Sequence, residues 1–235
     1  MKRTLMCATA AAALVSVGAV ANADEEGWYT RADVGYTFAG NLDHDPEPGI
    51  PGSLARDSNI QEGIGAWLGA GYDFGNSFRL ELTGGYRSGD AIPDSDFNGT
   101  PLGLDATSSF VVAPDGNFQI WDAMTNLLYD IESGSRITPY VGAGVGIAGV
   151  KADVGNLVAV SAAGDQNRIN GFSDSDTSFA YQALAGLGVA ITDNLTFDVG
   201  YKYFNVDDLD FVGFDASGNE VDYSGDYQDL SLIHI

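Results

Sequence analysis

Cysteine, histidine and basic residues are all scarce in these 235 residues: one Cys, two His and 10 Lys plus Arg. A lone Cys7 cannot build a disulfide framework, and with two histidines it cannot supply a structural zinc site. Ten bases against 33 acids give a formal net charge of −23. That balance excludes the basic face a nucleic-acid binder needs to meet phosphates. Long apolar runs are missing too: beyond the N-terminus no stretch reaches ~18 consecutive apolar residues, so no spanning helix is available. Yet 45% of the chain is hydrophobic and 31 residues are glycine, too apolar for a disordered polymer. One domain of ordinary size is the expectation.

Residues 1–23 read as a secretory signal peptide. Lys2 and Arg3 give the positive start, Cys7 to Val20 the apolar stretch, and Ala21-Asn22-Ala23 the small-x-small cleavage site. The apolar run is shorter than the ~20 residues a bilayer core requires. Cys7 stands at the start of that run and follows Met6 rather than a small residue, which argues against lipoprotein processing. Cleavage removes two bases, no acids and the only thiol, leaving an exported chain from residue 24 to 235.

What is present is alternation. From Trp28 to Phe38 the even positions are Trp28, Thr30, Ala32, Val34, Tyr36 and Phe38, and the odd ones Tyr29, Arg31, Asp33, Gly35 and Thr37. One face is apolar and ends in aromatics; the other carries charge and glycine, as in a strand with one greasy side. The same period of two begins again at Ile64, Phe78, Trp121, Pro139, Phe179 and Leu195, and an eighth segment starts near Tyr227. Gly75-Asn76-Ser77, Glu132 to Arg136 and Thr192-Asp193-Asn194 read as tight hairpin turns. Ala39 to Glu62, Gly89 to Gly116, Lys151 to Thr177 and Asn205 to Asp226 read as long loops. Short and long connections in alternation predict an all-β fold: an eight-stranded antiparallel up-and-down transmembrane β-barrel.

A soluble barrel would turn the apolar face inward. The other face decides between the two, because it carries glycines and single charges of both signs: Arg31, Asp33, Asp73, Arg79, Glu81, Arg87, Asp122, Asp198 and Lys202. Near-balance suits a narrow interior, where buried charges must be paired. Trp28 and Phe38 stand roughly 33 Å apart along a strand and about 23 Å once tilted, the height of an outer-membrane apolar band. The nine charged residues are therefore expected to form a network in the lumen.

The stretch Gly27-Trp28-Tyr29-Thr30-Arg31-Ala32-Asp33-Val34-Gly35-Tyr36 resembles the opening strand of the OmpA-like or opacity-protein-like small outer-membrane β-barrels of Gram-negative bacteria. Thr138-Pro139-Tyr140-Val141-Gly142-Ala143-Gly144-Val145-Gly146 is similar to another of their strands. Phe179-Ala180-Tyr181-Gln182-Ala183, Thr192-Asp193-Asn194-Leu195 and Gly200-Tyr201-Lys202-Tyr203-Phe204 resemble the sixth and seventh. The resemblance covers most of the mature chain. It implies an outer-membrane location and a filled or very narrow lumen, and it does not imply an enzymatic activity; no enzyme and no cofactor are expected. Outer-membrane lipid, lipopolysaccharide and the barrel-insertion machinery are the partners it implies. One departure stands at the end, where Leu230-Ser231-Leu232-Ile233-His234-Ile235 lacks the terminal aromatic of such barrels. That hexapeptide also equals a translated sequencing-library transposon end, so the last strand is expected to be truncated near Asp229.

Three motifs invite chemistry. Gly144-Val145-Gly146-Ile147-Ala148-Gly149 matches the string of dinucleotide-binding turns, but it sits inside a period-two run and no helix pattern follows to meet a pyrophosphate. The simpler expectation is that these glycines make room for large neighbours such as Trp67 and Tyr140. His44, between Asp43 and Asp45, is the sole catalytic foothold, and it lacks an evident nucleophile and orienting partner. Most of the 33 acids fall in the four long loops. Asp207, Asp208 and Asp210 are the best cluster for weak Ca²⁺ binding by hard oxygen ligands, though their spacing completes no EF-hand. The expected role is a structural barrel displaying acidic surface loops. The alternative is a narrow cation-favouring pore, in which Glu81 would be a selecting acid; behind it stands a lipid A-modifying or protease enzyme working through His44.

Overall fold

The computed structural model describes residues 26–46, 57–93, 109–160, 166–169, 172–214 and 220–234. The signal-peptide segment lies outside the described residues, as do loop acids such as Glu47, Asp94, Asp105 and Asp215; at His44 only the backbone is described. The described residues form nine strands: β1 Gly27–Pro46, β2 Asp57–Asp73, β3 Phe78–Pro93, β4 Ser109–Asp130, β5 Ile137–Val160, β6 Gln166–Ile169, β7 Phe172–Thr192, β8 Leu195–Phe214 and β9 Glu220–His234. All pairings are antiparallel, in the order β4-β3-β2-β1-β9-β8-β7-β5, and β4 pairs β5 to close the ring. Eight strands form the barrel; β6 is a short addition to the far end of β5.

The sheet closes because an apolar outer face leaves no other place for main-chain amides than a neighbouring strand. Val141 and Leu187 are each 47% exposed, and Trp28, Ile64 and Leu68 are the most exposed large apolar side chains. Aromatics ring the turn end: Trp28 packs edge-on against Tyr72 and Tyr72 against Phe74, each at 5.2 Å, and Phe78 meets Tyr129 at 5.2 Å. Phe38, Tyr86, Trp121 and Phe179 face outward nearer the other end. At the turns, Gly75 (φ +67°) and Gly134 (φ +65°) take the left-handed conformation that glycine accepts without a Cβ penalty.

The long loops of the sequence reading are shorter in the structure. β4 and β5 pair up to Ser109 opposite Val160, β1 runs to Pro46, and β9 begins at Glu220 rather than near Tyr227. The physical reason is a reversal of pattern. Beyond the outward aromatic belt the outer face turns polar while the inner face turns apolar. Phe118, Ile120, Val150, Ala152, Val206, Leu209, Phe211 and Tyr227 form one buried cluster inside the barrel. A segment with both kinds of face reversed no longer looks like a lipid-facing strand. Leu230 to His234 continue β9, which meets β1 from Val34 to Pro46 and β8 from Val199 to Phe214.

Candidate functional site

The nearer half of the lumen, towards the tight turns, holds the first charge group. Arg31 on β1 bonds Asp33 at 2.9 Å and also Glu81 on β3. Tyr29 donates its hydroxyl to Glu81 Oε1 at 2.6 Å. Arg79 grips Asp130 on β4 through two hydrogen bonds of 2.7 Å, the fork geometry that makes such pairs strong. Its guanidinium also stands 3.8 Å from Glu81. β1 and β3 are not neighbours; β2 lies between them. Their side chains meet because β2 presents Gly69 and Gly71 at this height, and a Cβ on Gly71 would fall 2.4 Å from the Tyr29 ring. Glycines on the intervening strand clear the way for long residues to reach across it.

Midway along the lumen lies the second group. Arg87 on β3, with no exposed surface, pairs with Asp122 on β4 at 2.8 Å and with Asp229 on β9. Trp67 Nε1 donates to Asp122 at 3.0 Å. Tyr227 and Ser231 donate to Asp229 at 2.9 and 3.0 Å. The guanidinium carbon sits 3.9 Å from the Phe204 ring centroid, and Lys202 Nζ lies 3.2 Å over the Trp67 ring, both cation–π contacts. A chain of neutral polar groups joins the next strands: Gln182 donates to Asn126 at 2.5 Å and Asn126 to Thr83 at 3.2 Å. Gly144 on β5 makes this crossing possible, since a Cβ there would collide with Asn126 at 2.0 Å.

Of the nine charged residues singled out in the sequence, Arg31, Asp33, Arg79 and Glu81 meet in the first group, and Arg87 and Asp122 in the second. Asp198 faces the lumen from β8, opposite Gly188. Asp73 departs from the reading: it ends β2 and its carboxylate accepts the Gly75 amide at 2.8 Å, so it caps a turn. Asp130 and Asp229 were missed. Parity alone would have found both, because each continues the inward-facing series of its strand. Asp207, Asp208 and Asp210 do not converge: Asp207 accepts from the Asn205 amide group, the Asp208 main-chain amide goes to Asp226, and that of Asp210 to Asp176. Among the described residues no three His, Cys, Asp or Glu side chains are grouped to hold a metal ion. The run Gly144 to Gly149 lies wholly inside β5. Gly149 accommodates Trp121, whose ring a Cβ there would approach to 2.1 Å.

An apolar outer belt between aromatic rims, closed around a lumen of paired charges, defines a small outer-membrane β-barrel. The chain belongs to the outer membrane protein β-barrel domain family, which it matches over residues 7–228. It is 27% identical to an uncharacterized protein of Brucella abortus across 83% of this chain and 73% of that one. A candidate adhesin of Rickettsia prowazekii is 26% identical, covering 87% of this chain and 84% of the other. Among solved structures, Neisserial surface protein A superposes with a TM-score of 0.44 at 16% identity, covering 88% of this chain and 97% of that one.

The protein is therefore placed in the outer membrane, with its strands crossing the lipid. A charge on its outer belt should be expensive. Leu68→Lys puts an ammonium where 70% of an apolar side chain now faces outward. We expect a loss of about 2–4 kcal/mol if the site is at mid-bilayer, read from urea unfolding in lipid vesicles. Lys at Thr83, which faces the lumen beside Asn126, should show no comparable dependence on bilayer thickness.

Proposed function

We propose that this is a structural outer-membrane barrel whose extended strands and acidic loops serve surface interaction, and whose lumen passes no steady ion current. The observation that carries the closed lumen is Arg87: fully buried, it links β3 to β4 and to β9, with Trp67, Phe204 and Tyr227 packed around it. An eight-stranded interior is just wide enough for side chains to fill. Surface interaction is supported by strands that continue well past the outward apolar belt, by a rim rich in carboxylates, and by kinship with the Rickettsia protein. The reading is non-enzymatic: catalysis needs a positioned base and nucleophile, and the lumen carboxylates Asp33, Glu81, Asp122, Asp130 and Asp229 are each held by an arginine.

Two experiments test this. Refolded protein in planar bilayers should give no steady conductance. A cation-selective current abolished by Glu81→Gln would instead establish a pore. A non-adherent Gram-negative host expressing the chain should gain several-fold adherence to cultured animal cells. No gain at equal surface level would remove the surface-interaction reading.

A further inference from the structure

The ladder between β7 and β8 stops well short of the strands that form it. Its last main-chain pair away from the turn is Ala180 with Val206, yet β7 reaches back to Phe172 and β8 on to Phe214. Over this stretch each strand keeps its other neighbour. β7 pairs β5 as far as Phe172 opposite Val154, and β8 pairs β9 from Leu209 to Phe214. Among the described residues, these two stretches of the wall have no main-chain pairing with each other.

Carrying the β7–β8 register onward would set Asp176 opposite Asp210 and Asp174 opposite Val212. The gap is bridged at those two places, but by side chains. The Asp210 amide donates to Asp176 Oδ2 at 2.9 Å, and the Val212 amide to Asp174 Oδ2 at 2.7 Å. Carboxylates thus take the place that main-chain carbonyls hold in a ladder. The cause sits in β8. Asp208 adopts φ +53°, and the register slips between Val206 and Leu209, so β8 turns away from β7 there while its inward side becomes Leu209 and Phe211.

We propose that this gap is a strand-addition site for an extended basic peptide segment of a partner outside the cell. The incoming strand takes the amides of Asp210 and Val212 as ladder partners and sets alternate Lys or Arg side chains against the carboxylates it displaces. An unpaired strand edge is a template for main-chain pairing, and the alternate side chains confer the choice of partner. Asp207, Asp208 and Asp226 stand beside the gap with Asp174, Asp176 and Asp210, while Lys151 on β5 is held by Asp153 at 3.4 Å. This charge favours a basic strand and opposes a second copy of the same acidic edge. The inference rests on the surface-interaction reading and names the partner's chemistry.

The test uses the full mature chain refolded in nanodiscs and a labelled nonapeptide of alternating Lys and Val. A second nonapeptide is identical in charge but N-methylated at alternate residues, so that one of its edges cannot pair. Binding is followed by fluorescence anisotropy, and protection of the Asp210 and Val212 amides by hydrogen exchange. The expected result is binding of the unmethylated peptide with slower exchange at both amides, and at least tenfold weaker binding of the methylated one. Asp176→Cys with Asp210→Cys, oxidised, should draw the strands to ladder distance and abolish binding while the barrel keeps its gel mobility. Equal binding of the two peptides, undiminished binding to the cross-linked variant, or no binding of either would overturn the proposal. Adherence that persists while peptide binding fails would bring down this inference alone and leave the parent reading standing.

Discussion

Arg87→Met is expected to destabilise the barrel by about 3–5 kcal/mol, because it strands two carboxylates in a dry interior. Asp122 and Asp229 both lean on this one guanidinium, and all three side chains have essentially no exposed surface. Hydrogen bonds from Trp67 to Asp122 and from Tyr227 and Ser231 to Asp229 would remain, yet they bring no positive charge. The companion variant separates charge from shape. Arg87→Met combined with Asp122→Asn and Asp229→Asn removes the guanidinium and both of its carboxylates, leaving Lys202 over the Trp67 ring, while keeping acceptors for the three donors. It should recover most of the loss, since replacing a buried ion cluster entire is often close to neutral whereas breaking it is not. Urea titration in vesicles, followed by tryptophan fluorescence, measures both. A triple variant no more stable than Arg87→Met would mean that packing against Phe204, rather than charge pairing, is what the arginine supplies.

Trp67→Ala should cost a similar amount, about 3–5 kcal/mol, through loss of the largest inward side chain of β2. Its ring lies on a bed of glycines from three strands. A Cβ on Gly85 of β3 would fall 1.8 Å from Trp67 Cδ1, on Gly65 of β2 2.3 Å from the ring, and on Gly35 of β1 2.9 Å from it. Gly85→Leu alone should therefore block folding, because backbone cannot yield to a fixed indole. In the Trp67→Ala background the same substitution should be tolerated and restore part of the stability by filling the vacated space. That sign reversal is the signature of residues sharing one volume. Additive losses in the double variant would show that the glycines serve the backbone and not the tryptophan.

Both predictions grow from interactions between strands far apart in the chain, and this separates what could be read early from what could not. The orientation of each lipid-crossing segment was legible in the sequence. A period of two with Val141, Leu187 and Leu68 on one side and Glu81, Arg87 and Lys202 on the other leaves one sensible arrangement in a membrane. The reason is local, because neighbouring residues on a strand point opposite ways whatever the partners are. The three tight turns were legible for the same reason. The reading failed where the environment changes along a strand. Above the aromatic belt the outer face meets water and the inner face meets Phe118, Ile120 and Val150, so the alternation inverts and strands passed for loops.

Which charge meets which was beyond the sequence altogether. Arg31 finds Glu81 because β2 puts only Gly69 and Gly71 between them, and Arg87 finds Asp229 because the ring returns β9 to the inside of β3's reach. Asp73 carries the right charge on an apparently inward position, but it ends its strand and is claimed by the turn. The gap between β7 and β8 is another product of three dimensions, set by one residue at φ +53° and a slipped register that no pattern of side chains announces. Alternation of residue type determined that a barrel would form and which way its faces would point, since that depends only on the geometry of a single strand. Closure of the ring decided the ion pairs, the glycine clearings and the carboxylate-bridged gap, since each depends on the distance between chains that meet only after folding.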